Sequence, residues 1–321
     1  MFKPDEVIFA STSQCNLECE HCRVERMPSN LAAKDAIKFL KSCRPSGIEK
    51  VGFSGGEPFL RPEFLYEVCE AAVELDMYFD RLMTNGVWFK NEARLREVLE
   101  ELHESGFDGT FGVSVDSYHV QDVKKLAVFF RTAFIVWGRK DCCEIISVRT
   151  EDEAAFMKKL ETLSGFLGGK IVRDEDGEPI AIANKKFLER KEDDEDDPEA
   201  LIINIASMSY SAAAEEEAWD ADEWFEDDFC AGPGNVLYVH PNGNVAPCCG
   251  FANENEALKI GNIKRDNCAR VLAKAAENPI VAACYDEGLA TVRKRVMKKE
   301  KFPGKTDDMC FFCDWMCKNR T

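Results

Sequence analysis

Cys15-Asn16-Leu17-Glu18-Cys19-Glu20-His21-Cys22 brings three thiols into one short loop that directly follows a β-like run, Val7 to Ala10. A loop that must gather three sulfurs about one centre has to be presented by a rigid strand end, as the carboxyl ends of β/α barrels do. An iron-sulfur cube takes one thiolate per iron, so three cysteines leave the fourth iron open to a non-protein ligand. Zinc with His21 as fourth ligand is the alternative, although adjacency to Cys22 places His21 poorly for the same tetrahedron.

The rest of the first two-thirds supplies the scaffold such a loop needs. Short β-like runs alternate with helical patterns, the signature of parallel β/α units. Strands are expected at Val7 to Ala10, Lys50 to Ser54, Tyr78 to Met83, Thr110 to Val115, Glu144 to Val148 and Leu201 to Ala206. Helices are expected at Leu31 to Cys43 behind a Ser29/Asn30 cap, Pro62 to Leu75, Glu92 to Glu104, Val120 to Ile135 and Asp152 to Leu167. The stretch from Lys170 to Pro198 is acidic, glycine-containing and without periodicity, and reads as a long, partly ordered insertion before the sixth strand. After Trp224 the helices shorten. Val236 to Val239, the turn Asn242-Gly243, and Asn244 to Ala246 read as a β-hairpin running into Pro247-Cys248-Cys249. The expected fold class is therefore α/β: a partial six-unit β/α barrel over 1–210, with the insertion at 170–198, and a small hairpin-plus-helix iron-sulfur domain over 211–321.

Fifteen cysteines are an odd number, and no segment approaches the ~20 apolar residues of a membrane helix. The amino-terminal residues lack the basic and apolar regions of a signal peptide, so a cytoplasmic chain whose thiols are reduced is expected. Metal then explains the clustering better than disulfides. Cys43, Cys69, Cys142, Cys143, Cys268 and Cys284 stand in apolar or helical contexts and read as packing thiols. The net charge of -18 opposes nucleic acid as a partner, because each phosphate contact needs a cation. The acidic runs Glu192 to Asp197 and Glu215 to Asp228 read as a solvated loop and a solvated helix face, with docking of a basic peptide as the alternative.

The three-cysteine loop, together with Gly55-Gly56-Glu57-Pro58 after the second strand, resembles the radical S-adenosylmethionine (SAM) superfamily. That resemblance implies SAM chelating the open iron, with Gly55 and Gly56 allowing close backbone approach and Glu57 meeting the ligand's ammonium group. It also places Asn85, Ser114 and Asp116 around SAM and its ribose. Turn and cap roles are the alternative for these. Cys230, Cys248, Cys310 and Cys313, with Cys249 and Cys317 as spares, resemble the twitch or SPASM extension that carries an auxiliary cluster; a structural zinc is the alternative occupant. Two four-iron clusters and SAM are thus the expected cofactors.

Across nearly the whole chain, the order Cys15/Cys19/Cys22, Ser114-Val115-Asp116-Ser117-Tyr118-His119, Cys230, Pro247-Cys248-Cys249 and Cys310-x2-Cys313 is similar to the YydG-type peptide epimerases. One departure is that residues 231–235 hold no carboxylate where that family has one. The resemblance implies a ribosomally made precursor peptide as substrate, an electron donor such as flavodoxin or ferredoxin, and Cys249 as the thiol returning hydrogen to an inverted Cα. Peptide cross-linking or thioether formation, and a non-catalytic metal scaffold, remain the alternatives.

Overall fold

The computed structural model describes residues 1–24, 28–148, 153–189, 200–208, 217–230, 232, 234–298 and 301–319. In chain order the elements begin β1 (Glu6–Ala10), α1 (Ala33–Cys43), β2 (Lys50–Ser54), α2 (Pro62–Glu74), β3 (Tyr78–Thr84), α3 (Glu92–Glu104), β4 (Thr110–Ser114), α4 (Val123–Trp137), β5 (Cys143–Val148) and α5 (Glu153–Leu167). Then follow β6 (Lys170–Arg173), β7 (Pro179–Ala183), α6 (Lys185–Leu188) and β8 (Ile202–Met208). The last third holds β9 (Gly234–Val239), β10 (Asn244–Cys248), β11 (Gly261–Asn262), α7 (Cys268–Glu277), α8 (Pro279–Ala282), α9 (Leu289–Val296) and α10 (Met309–Asn319).

β1, β2, β3, β4, β5 and β8 pair in parallel, in that order, and form the partial barrel. Side chains alternate across each strand. Val7, Phe9, Val51, Phe111 and Val113 point outward and are buried with the inner faces of the helices, whereas Glu6, Ile8 and Ser54 line the lumen.

Two parts differ from the sequence expectation. The stretch after Leu167 is not wholly irregular: β6 and β7 form an antiparallel hairpin that extends the sheet beyond β8. Its strands are too short to show a period-two pattern, and its turn is set by Asp174, whose Oδ1 accepts the N–H groups of Asp176 and Glu178 at 3.0 and 2.8 Å. The acidic run 192–197 lies outside the described residues. In the second acidic run the described part is a short 3-10 turn, Glu217–Trp219, followed by irregular chain rather than a helix face.

The β9–β10 hairpin is where the pattern placed it, turning at Gly243 with φ +90°. Yet β9 pairs in parallel with β1, Val7 opposite Leu237, so the hairpin continues the barrel sheet.

Candidate active site

The cysteine loop is pinned at its root. Ser13 N–H donates to Ser29 O at 3.0 Å, Leu31 N–H to Ser11 O at 3.0 Å, and Thr12 and Asn30 form a bridge. Asn30 is therefore spent on closing this loop, and α1 starts after Ala32 with no side-chain cap. Gly55 and Gly56 lie against the same root. Gly56 N–H reaches Thr12 O at 2.7 Å and Glu57 N–H reaches Gln14 O at 2.8 Å. A Cβ on Gly56 would stand 2.1 Å from Gln14 O, and one on Gly55, at φ +140°, 2.6 Å from Thr12 O. The glycines are required by the cysteine loop's own backbone as well as by anything held in front of them.

Cys15, Cys19 and Cys22 share a cavity of about 170 Å³ with Gly55, Gly56, Asn85 and Ser114. Cys15 Sγ receives Leu17 N–H at 3.4 Å and Asn85 Nδ2 at 3.6 Å. Burial raises the Cys15 thiol, and these two donors act in the opposite direction by favouring the thiolate that a metal needs.

Two expected cofactor residues face elsewhere. Glu57 is fully buried, its carboxylate accepting Asn85 N–H at 2.8 Å, Thr84 Oγ1 at 3.0 Å and Phe59 N–H at 3.2 Å. Burial pushes it up to about 7 against those hydrogen bonds. Asp116 is also fully buried, bound to the N–H groups of Tyr118 and His119 and to His119 Nδ1 at 2.8 Å. Burial would raise its carboxyl, but His119 more than offsets this and holds it below the usual range. Both acids thus brace the cavity walls and do not line it. His21, weighed in the sequence only as a fourth zinc ligand, and His119 line the cavity instead, and among the described residues His21 Nδ1 is buried without a hydrogen-bond partner. Lys159 Nζ donates to Asp116 O at 2.6 Å behind them.

A second cavity, of about 20 Å³, is lined by Cys230, Cys248, Cys310 and Cys313. Cys310 and Cys313 lie three apart on α10 and so share a face. A Cβ on Gly234 would come within 2.5 Å of Cys230 Sγ, so the glycine makes room for that thiol. Cys284, expected to be a packing thiol, lines this cavity too, 3.8 Å from the Cys313 sulfur. Tetrahedral zinc would bring its thiolates to about 3.8 Å from one another. Among the described residues, the group of three ligand atoms mutually within 4.8 Å is His21, Asp116 and His119; neither cysteine set is drawn in that far. Neither set as a whole is therefore gathered as tightly as one tetrahedral zinc requires.

Residues 10–132 match the radical SAM superfamily, and residues 230–299 match the iron-sulfur cluster-binding domain SPASM. The chain carries a radical SAM domain and a SPASM domain. YydG of Bacillus subtilis (strain 168), named for peptide biosynthesis, is 27% identical over 94% of this chain and 88% of its own length. The GTP 3',8-cyclase of Aliarcobacter butzleri (strain RM4018) is 23% identical over 86% of this chain and 90% of its own length. The crystal structure of Streptococcus suis SuiB bound to precursor peptide SuiA shares the fold, with a TM-score of 0.56 at 16% identity, over 96% of this chain and 76% of that one.

A third cavity, of about 520 Å³, is the barrel lumen; Ser54 and Met83 belong both to it and to the cavity of the radical SAM domain. The adjacent cysteines 248 and 249 diverge. Cys248 faces the SPASM-domain cavity, and Cys249 is exposed on the lumen wall. Register sets the height of Cys249. Cys248 pairs with Gly234, whereas Val7 pairs with Leu237 further along β9. Cys249 therefore stands near the beginning of β1, while Cys15 follows its end. Protein surrounds the Cys249 thiol on its remaining sides, and this enclosure with the nearby Glu6 carboxylate pushes it up to about 12, keeping the S–H intact near neutral pH.

Proposed function

We propose that this protein inverts L-residues of a ribosomally made peptide to the D-form. Cys249 carries the reading, because it opens into the lumen from the end opposite to the three-cysteine loop. Two four-iron clusters, one on Cys15, Cys19 and Cys22 and one on Cys230, Cys248, Cys310 and Cys313, fit the thiols present. When bound, the first cluster and SAM supply a 5'-deoxyadenosyl radical able to take hydrogen from a peptide Cα. A planar carbon radical is inverted only if the new hydrogen arrives on the other face, and a thiol at the lumen end remote from the three-cysteine loop is suited to deliver it there. Its S–H hydrogen forms the new Cα–H bond. Restoring the thiol takes one electron and one proton, the electron coming from a one-electron donor such as flavodoxin or ferredoxin.

The names of YydG and of the SuiB–SuiA structure support a peptide substrate. A nucleoside triphosphate, which the name of the cyclase relative brings to mind, fits this lumen poorly. Its cation Arg81 is already paired with Glu144, and Glu6 and Asp80 stand beside it. Cross-linking would leave no hydrogen to return, and nothing in the placement of Cys249 favours it.

The test uses peptides encoded beside the gene, incubated in deuterium oxide with the reconstituted enzyme, SAM and a reductant. Each D-residue should carry one added mass unit at Cα. A cross-linked product without any D-residue refutes epimerisation.

A further inference from the structure

The lumen has an acidic end beside the Cys249 thiol. Glu6, the first residue of β1, is only 8% exposed, yet its side chain lines the lumen with Asp80, Arg81 and Cys249. Its place is built into the sheet. A Cβ on Gly52 of the neighbouring strand would lie 2.4 Å from Glu6 Oε1, so the glycine leaves room for the carboxylate in this position. Gly112, two strands further on, makes room in the same way for Met83, whose sulfur a Cβ would approach to 2.6 Å.

The cations at this end are already spoken for. Arg81 pairs with Glu144, and Lys50 pairs with Asp5 at 2.8 Å. Glu6 and Asp80 form no ion pair among the described residues. Burial, then the charges of Asp80 and Asp5, push Glu6 up to about 7, outweighing the opposite pull of Lys50 and Arg81, whose own pairing is with other acids. Water answers part of this deficit at Asp80, which is half-buried, but Glu6 is shielded from it. A substrate cation placed between the two acids would supply the missing charge where a neutral side chain of equal length would not.

We propose that Glu6 and Asp80 are specificity-determining residues that receive a cationic side chain, lysine or arginine, from the peptide segment entering the lumen. This rests on the reading that a peptide occupies the lumen next to Cys249, and it names the chemistry of that peptide.

The probes are a synthetic alanine-glycine peptide with one central lysine and its norleucine analogue, which keeps the chain length and lacks the charge. Affinities are measured by calorimetry on the full-length, reconstituted protein with SAM bound and no reductant. Wild type should bind the lysine peptide about tenfold more tightly, a difference of about 1.4 kcal/mol. Glu6→Gln should erase that preference and Glu6→Asp should keep most of it. Should Glu6→Gln fail to fold, Asp80→Asn, at a half-exposed site, should still reduce the preference about threefold. Equal affinities in wild type, no measurable binding of the lysine peptide, or a preference that survives both Glu6→Gln and Asp80→Asn would overturn the assignment. The other reading is tested apart, with reductant and the peptides encoded beside the gene: the lysine preference without any D-residue in those peptides would sink epimerisation and leave the acidic selectivity standing.

Discussion

Glu57 accepts the backbone N–H of Asn85 at 2.8 Å, so the loop after β2 and the end of β3 are tied together by one buried carboxylate. The same carboxylate takes up Thr84 and Phe59. Asn85 in turn donates to Asn16 in the cysteine loop at 2.8 Å, which passes the constraint on to the thiols. Glu57→Ala should therefore act first on the fold, leaving buried donors unpaired at a cost on the order of 3 kcal/mol. Chemical denaturation of the SAM-free protein measures it. A variant of unchanged stability with weakened SAM binding would mean that Glu57 meets the ligand directly.

Glu6 and Glu57 both have folded-state values near 7 against an ordinary 4.5. Between those values the folded chain holds more protons than the unfolded one, so each acid makes stability fall as pH rises through the window, levelling off above about 7. A tenfold difference in proton affinity between the folded and unfolded chain is worth about 1.4 kcal/mol. Glu6→Gln removes one of the two contributions. The stability of the variant relative to wild type should then improve by on the order of 2–3 kcal/mol between about pH 5 and about pH 7.5. A gap that stays constant with pH would show that Glu6 ionises as an ordinary surface carboxyl.

Sequence patterns made the barrel strands, the β9–β10 hairpin and the two cysteine sets legible, because each rests on local spacing. Alternation fixes which side chains enter the lumen, and Cys-x3-Cys-x2-Cys fixes one loop. What stayed hidden depends on contacts between distant segments. Gly56 reads as a ligand cradle until Gln14 O is found against it. Asp116 and Glu57 read as ligands because motif order does not tell which way a carboxylate turns. Cys284 looks like packing on its own helix and joins the other thiols only when α10 folds back. Glu6 and Gly52 carry no signal apart and become meaningful only as neighbours across β1 and β2.

Cys284 and Cys313 set up a direct test of the second metal centre. Their sulfurs lie 3.8 Å apart, too close for both to occupy corners of one cube, so a cube built there would take only one of the pair. Spacing with Cys310 on α10 selects Cys313. Wild type should hold about eight irons per chain after anaerobic reconstitution, from two four-iron clusters. Cys313→Ala should lose about half of them, as should the triple Cys15/Cys19/Cys22→Ala variant, and only the triple variant should abolish SAM cleavage outright. Cys284→Ala should keep the full complement. Half-loss in Cys284→Ala with full iron in Cys313→Ala would exchange the two roles, and zinc in place of the second cluster would reject iron there.

Cys249→Ala separates the donor role from every structural one. The thiol is exposed on the lumen wall and does not line the cavity of the second cysteine set, so its removal should leave iron content and thermal stability within error of wild type. The walls of the cavity that holds the three-cysteine loop come from other segments, and 5'-deoxyadenosine should still form. D-residues should disappear, because no other described cysteine lines the lumen to return hydrogen from that end. Cys249→Ser should behave in the same way, since an O–H bond is too strong to yield its hydrogen to a carbon radical. Deuterium-labelled D-residues from either variant would assign the donor to another group. Loss of iron in Cys249→Ala would instead make this residue a ligand and return the cross-linking reading to contention.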